Sequence, residues 1–383
     1  MKQLFCGIVL TALVAGCGGG GGGTNSPNTS SNTPPAASVG TQMGGARQGV
    51  PLNLTTAVTS FAGSGIAVSF DGIGTAASFH APHGITTDGT NLYVVDKDSS
   101  TIRKIVIATG AVTTLAGRSY AGAVDGTGIV AAFNAPTGIT TDGTNLYVAD
   151  NGNNMIRKIV MSTGVVTTLA GSVLAGSTDG TGTAASFDQP YGITTDGTNL
   201  YVADSFNSTI RKIVISTGVV TTLAGNASLQ SKINAALNGT VDGIGAAATF
   251  FLPVGITTDG TNLYVMGSSV IRKIVIATGA VSTLAGSVMF GNKDGTGTAA
   301  AFASPFDITT DGTNLYVPDS NNRTIRKIVI STGVVTTLAG SGAMGTTNGT
   351  GTAASFAFPM GITTDGISLY VADSSSNTIR KIQ

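Results

Sequence analysis

Apolar residues in this chain come in short runs of four to seven positions, dense in Val, Ile, Leu and Tyr, and the runs come in sets of four. One set reads GITT (192–195), NLYVA (199–203), TIRKIVI (209–215) and VVTTLA (219–224). Runs this short and this rich in β-branched residues predict strands rather than helices. Asp196-Gly197 between the first two, and Thr217-Gly218 between the last two, are turn signals of antiparallel hairpins. Each set therefore predicts one four-stranded antiparallel sheet.

The sets repeat. ITTDGTNLYV stands at 85–94 and recurs unchanged at 139–148, 193–202, 256–265 and 308–317, with ITTDGISLYV at 362–371. The Asp of each copy falls at 88, 142, 196, 259, 311 and 365, giving spacings of 54, 54, 63, 52 and 54 residues. A period of this size predicts a propeller with one blade per unit. The sixth unit stops after its third strand at Gln383, and a lone fourth strand, TAVTSFAG (56–63), stands ahead of the first unit. Joined, the two complete a ring without an open sheet edge. The expected fold class is all-β, a six-bladed β-propeller closed by its N-terminal strand.

Within each unit the run P-x-G-I…L-Y-V-A-D…N…I-R-K-I resembles the NHL repeat. The third unit carries it on Pro190, Gly192, Ile193, Leu200, Tyr201, Val202, Ala203, Asp204, Asn207 and Ile210. The resemblance spans 56–383 and implies a propeller, but not one function. NHL propellers include sensor domains of bacterial receptor kinases, RNA- and protein-binding domains, and an amidating lyase. The fourth unit, LYVMGSSVIRK, is two residues shorter and lacks the blade's usual Asp, with Met266 expected in its place.

Composition narrows the function. The 383 residues include 55 Gly, no Trp and 19 acidic residues, all Asp, balanced by 19 Lys and Arg. With no net charge there is no basic field for nucleic acid, and none is expected as a partner. The opening MKQLFCGIVLTALVAGC has a basic start and an apolar run too short to span a bilayer. Its LVAGC resembles the bacterial lipobox, which implies cleavage after Gly16 and lipidation of Cys17. Residues 1–16 are thus expected to be a lipoprotein signal peptide, 17–54 a flexible Gly/Ser/Thr/Pro/Asn tether, and 55–383 the propeller. Cys6 would leave with the signal, so no disulfide is expected. Gly18 after the lipidated cysteine favours the outer membrane of a two-membrane cell, with the membrane touched only through the lipid anchor.

Residues that agree between units are those a blade needs in order to stack, so a specific site is expected where units differ. The TDGTN and TG turns lie on one face and are nearly constant. The second-to-third and blade-to-blade loops lie on the other and carry the variation. The most informative variable position is x in P-x-G-I, where the chain enters the innermost strand: His83, Thr137, Tyr191, Val254, Phe306 and Met360. Asp307 replaces the following Gly in the fifth unit. Two readings stand for this ring. It anchors a partner at the channel mouth as an exposed apolar set, or its side chains pack on neighbouring loops and close the top. The long connection 226–245 is consistent with a short helix over the same face.

Catalytic chemistry is sparse. His80 and His83 share one loop and lack a third ligand. The lyase branch of the family draws several histidines from different blades. Lactonase-type calcium sites commonly use Glu, which this chain lacks. The DGxG segments at Asp71, Asp125, Asp179, Asp242 and Asp294, with Asn348 in the sixth, read as tight turns. The arginines of the IRK runs (Arg103, Arg157, Arg211, Arg272, Arg326 and Arg380) are expected to pair with the V-x-D aspartates, which Arg272 lacks. No catalytic residue, metal or cofactor is expected. The expected function is a non-catalytic binding or scaffold module of the bacterial cell envelope that engages a protein or glycan. The alternatives are a lyase or lactonase-like hydrolase with a channel metal, and a structural surface protein.

Overall fold

The computed structural model describes residues 50–228 and 239–383. The expected signal peptide, Cys17, most of the expected tether and the middle of the long connection lie outside the described residues.

Six antiparallel sheets form the blades of the propeller. In the third, the strands run outward from the axis as Pro190–Thr195, Asn199–Asp204, Thr209–Val214 and Val219–Gly225. A fifth strand, Gly180–Thr181, lines the outer edge by pairing with Val220 and Val219. The blades are thus five-stranded rather than four-stranded. The additional strand comes from the DGxG segment, and two residues are too few to display a period of two. Closure follows the expected plan: Ala57–Ala62 pairs with Thr378–Ile382 on one side and Gly349–Thr350 on the other. The packed chain begins slightly before residue 55. Leu52 is buried in the cluster between blades five and six, and its N–H donates to Asp311 Oδ2 at 3.0 Å.

Each hydrophobic cluster is shared by two neighbouring blades. Tyr201, Ala203 and Ile210 of the third blade meet Phe250, Ile256, Leu263 and Val265 of the fourth, while Leu200 and Val202 face the second blade's Tyr147 and Ile156. A strand buried on both faces reads as a continuous apolar run, which is why NLYV shows no alternation.

The decapeptide persists because its polar members also carry the turn. Asp196 accepts the N–H groups of Thr198 at 2.9 Å and Asn199 at 2.6 Å, the Asn199 amide at 3.0 Å and the Tyr201 hydroxyl at 2.8 Å. Thr195 Oγ1 donates to the Asn199 carbonyl and accepts from Gly197 N–H. Gly197 takes the positive φ of 87° that an L side chain resists. In the sixth blade Ser368 replaces the Asn, and the Tyr370–Asp365 bond lengthens to 3.1 Å.

The repeated arginines are fully buried clamps. Arg211 donates to Asp204 Oδ2 and Asp179 Oδ1, both at 2.8 Å, and lies 5.1 Å from the Phe187 ring centroid. Blades one, two and five repeat this arrangement. The DGxG aspartates are therefore more than turn residues: in blades one, two, three and five each is the second carboxylate of a clamp, reached from 32 positions away in sequence. In blade four, Gly267 pairs with Val270 as Asp204 pairs with Thr209, so Gly267, not Met266, occupies the aspartate's position. Arg272 keeps Asp242 at 2.7 Å. In blade six Asn348 replaces the outer carboxylate and Asp373 stands 3.8 Å from Arg380. Burial pushes Arg272 and Arg380 below the ordinary guanidinium range, and a single carboxylate pulls each the other way.

Candidate functional site in the central channel

The six innermost strands approach one another at the axis. Gly84 N–H donates to the Thr137 carbonyl at 3.0 Å, linking blades one and two directly. A side chain at the equivalent Gly192 would run into the Val254 carbonyl oxygen. That contact is why P-x-G-I keeps its glycine. It also makes Asp307 unusual, since a carboxyl stands at this position in blade five.

The residues before these glycines meet over the channel. Ring side chains come from alternate blades: His83 from the first, Tyr191 from the third and Phe306 from the fifth. Thr137, Val254 and Met360 fill the blades between. Six large groups would crowd a common axis, and alternation relieves this. His83 Nε2 and Tyr191 Oη are hydrogen-bonded at 2.6 Å, with ring centroids 5.0 Å apart at 68°. Tyr191 stacks on Phe306 at 6.1 Å and 28°. Phe306 continues to Phe358 at 6.0 Å. Thr137 Oγ1 donates to the Tyr191 carbonyl at 2.9 Å.

The ring is only partly exposed. His83, Thr137 and Met360 are buried, while Tyr191, Val254 and Phe306 are half-buried. Beneath them lies a chamber lined by His83, Thr137, Tyr191, Phe306 and Asp307 together with glycines, isoleucines and first threonines of the inner strands. Val254 and Met360 do not line it; Val254 packs against the core of blades four and five.

Electrostatics in the chamber are governed by burial. His83 is pushed down to about 3 by desolvation, helped by the nearby Lys97 charge and opposed by a hydrogen bond to the Thr137 backbone. Tyr191 is raised by burial and then by Asp307. Asp307 is raised to about 7 by burial, although the N–H groups of Ile362 and Ile308 favour its charged form. Ile362 N–H donates to its Oδ2 at 3.0 Å. An acid that keeps its proton longer in the folded state binds more protons there than unfolded. Stability contributed at this position is thus lost as pH rises from about 4 to about 7. Relative to Asp307→Asn, the parent should lose stability across that window and level off above it, as read from urea midpoints at pH 4–8. Parallel profiles would contradict the assignment.

His80 and His83 do not act together. His83 is engaged with Tyr191, whereas His80 is half-buried with Nε2 3.7 Å from Asp98. Among the described residues no group of three or more His, Cys, Asp or Glu could hold a metal ion.

Two components escaped the sequence reading. Phe358 precedes the proline where the other blades have Ala81, Ala135, Gln189, Leu252 and Ser304, all at positive φ. An aromatic out of line there was the available signal. The threonine ring gave none, because its members are identical in every unit.

Fold and chamber define a six-bladed all-β propeller with an axial cavity. No protein-family model matches the chain. It is 31% identical over 280 residues to Protein SUPPRESSOR OF QUENCHING 1, chloroplastic, of Arabidopsis thaliana, covering 69% of this chain and 26% of that protein. It is 29% identical over 306 residues to NHL repeat-containing protein 2 of Homo sapiens, covering 70% and 41%. The chain spans between about a quarter and a half of the length of the curated relatives it matches. An auxiliary nutrient binding protein from Bacteroides thetaiotaomicron matches with a TM-score of 0.64 at 17% identity, over 85% of this chain and 76% of that one. A protein of unknown function from the same organism matches with 0.61 at 22%, over 85% and 75%. At such identities these structures bear on the fold. The sequence relatives and the fold together support an NHL-type propeller.

Proposed function

We propose that this chain is a non-catalytic binding propeller of the bacterial cell envelope, lipid-anchored through Cys17, and that it takes a small ligand in the axial chamber. The observation that carries the reading is the mouth: aromatic residues from alternate blades close over a chamber lined by polar side chains. A ring needed only to stack blades has no use for a hydrogen bond between blades one and three. The nutrient-binding structural match favours binding over catalysis.

A specific observation favours a second reading, a protein partner on the variable face. The blade-to-blade loops expose Phe70, Tyr120, Leu174, Met289, Phe290 and Met344, more apolar surface than stacking requires.

Native mass spectrometry of the chain purified from its envelope separates the two. A small-molecule adduct retained by the parent and lost when Thr194→Tyr fills the chamber supports the channel site. A folded parent without an adduct, even after incubation with envelope extract, overturns it.

A further inference from the structure

Each inner strand ends in two threonines, and the two behave differently. The second (Thr87, Thr141, Thr195, Thr258, Thr310 and Thr364) donates its hydroxyl to a backbone carbonyl of its own turn at 2.8–2.9 Å. The first (Thr86, Thr140, Thr194, Thr257, Thr309 and Thr363) lines the chamber, and among the described residues none makes a hydrogen bond to any of its six hydroxyls. Nor are these oxygens among the buried side-chain atoms left without a partner, so they reach the open space of the channel. The ring symmetry brings six donor-acceptor groups to one level, below a mouth of aromatic faces.

We infer that the chamber's ligand is a neutral, polyhydroxylated ring compound of the monosaccharide or cyclitol class. This rests on the channel reading above. A sugar ring presents hydroxyls around its edge and C–H groups on its faces. The threonine level can pair with the first, and the Tyr191 and Phe306 rings can cover the second. Charged ligands fit worse. Among the described residues no Lys or Arg lines the chamber, so a phosphate or carboxylate would be desolvated without a counter-charge on its wall. Asp307 is the sole acid on the wall among the described residues, and burial keeps it largely protonated below neutral pH. A purely apolar ligand would displace water from six hydroxyls and leave them unpaired, which costs more than the contacts return.

The test is titration calorimetry of the tetherless propeller with glucose, galactose, myo-inositol, glucose 6-phosphate, choline and octanoate. Parent and Thr194→Val/Thr257→Val proteins are compared, a pair that keeps shape and removes two hydroxyls. The expected result is binding of at least one neutral polyol, at least tenfold weaker binding of glucose 6-phosphate, and about tenfold weaker polyol binding by the double variant at an unchanged melting temperature. Equal polyol binding by parent and variant overturns the hydroxyl ring as the recognition element. Binding of a charged or apolar compound with the polyols silent overturns the ligand class but leaves the channel site standing. So does a native adduct whose mass and fragments are not those of a saccharide or cyclitol. Silence of the whole panel, with no native adduct, overturns both.

Discussion

Arg211→Met should lower stability by about 3–5 kcal/mol, the usual loss when one partner of a buried ion pair is removed. The aliphatic part of the substitute preserves packing against Phe187, so the loss isolates the charge. Asp204 would keep the Asp188 N–H at 2.8 Å and the Asn207 amide at 2.9 Å. It would remain fully buried without its cation. Arg272→Met should cost distinctly less. Its only close carboxylate, Asp242, is half-exposed, with 54% of the side chain accessible. Water can therefore solvate Asp242 once the arginine is gone. Urea midpoints of the two variants against the parent give the comparison. Equal losses would mean that the inner carboxylate contributes little, and that the clamp holds mainly through packing and backbone acceptors.

The second large effect is expected at the closure. A chain beginning at Gly63 lacks Ala57–Ala62 and should not form a compact monomer. Val58 and Ala62 are buried in two different interblade clusters. Their removal opens both clusters and bares the edge of Thr378–Ile382, a template for pairing with other chains. Size-exclusion chromatography should show oligomers or aggregate, and circular dichroism an early or absent melting transition. A peptide spanning 50–63 added in trans should recover part of the monomer. A truncated monomer melting like the parent would show that the ring does not depend on this strand.

How far the sequence reaches is clearest from particular residues. The Arg–Asp clamp was half-visible: a seven-residue spacing from Asp204 to Arg211 crosses one hairpin and can be read locally. Its other half, Asp179, immediately precedes the outer edge strand. Only the folded blade brings Asp179 within 2.8 Å of the guanidinium. The exchange of Met266 for Gly267 arose similarly. Residue counting does not reveal where a shortened hairpin absorbs its deletion, whereas strand register does.

The sequence by itself determined the class, the blade number and the closure, because those follow from hydrophobic pattern and turn chemistry repeated six times. It also singled out the variable ring His83, Thr137, Tyr191, Val254, Phe306, Met360 and its neighbour Asp307. Tertiary structure alone decided what that ring is. Its members lie about a blade's length apart in sequence and meet only at the axis, so the His83–Tyr191 bond, the Phe306 stack and the burial of Asp307 leave no trace in any local pattern. The same geometry explains the threonines. Identity between repeats ordinarily marks scaffold, but at the axis of a ring an identical residue from every blade faces its own copies. Six ordinary threonines thereby become one polar wall.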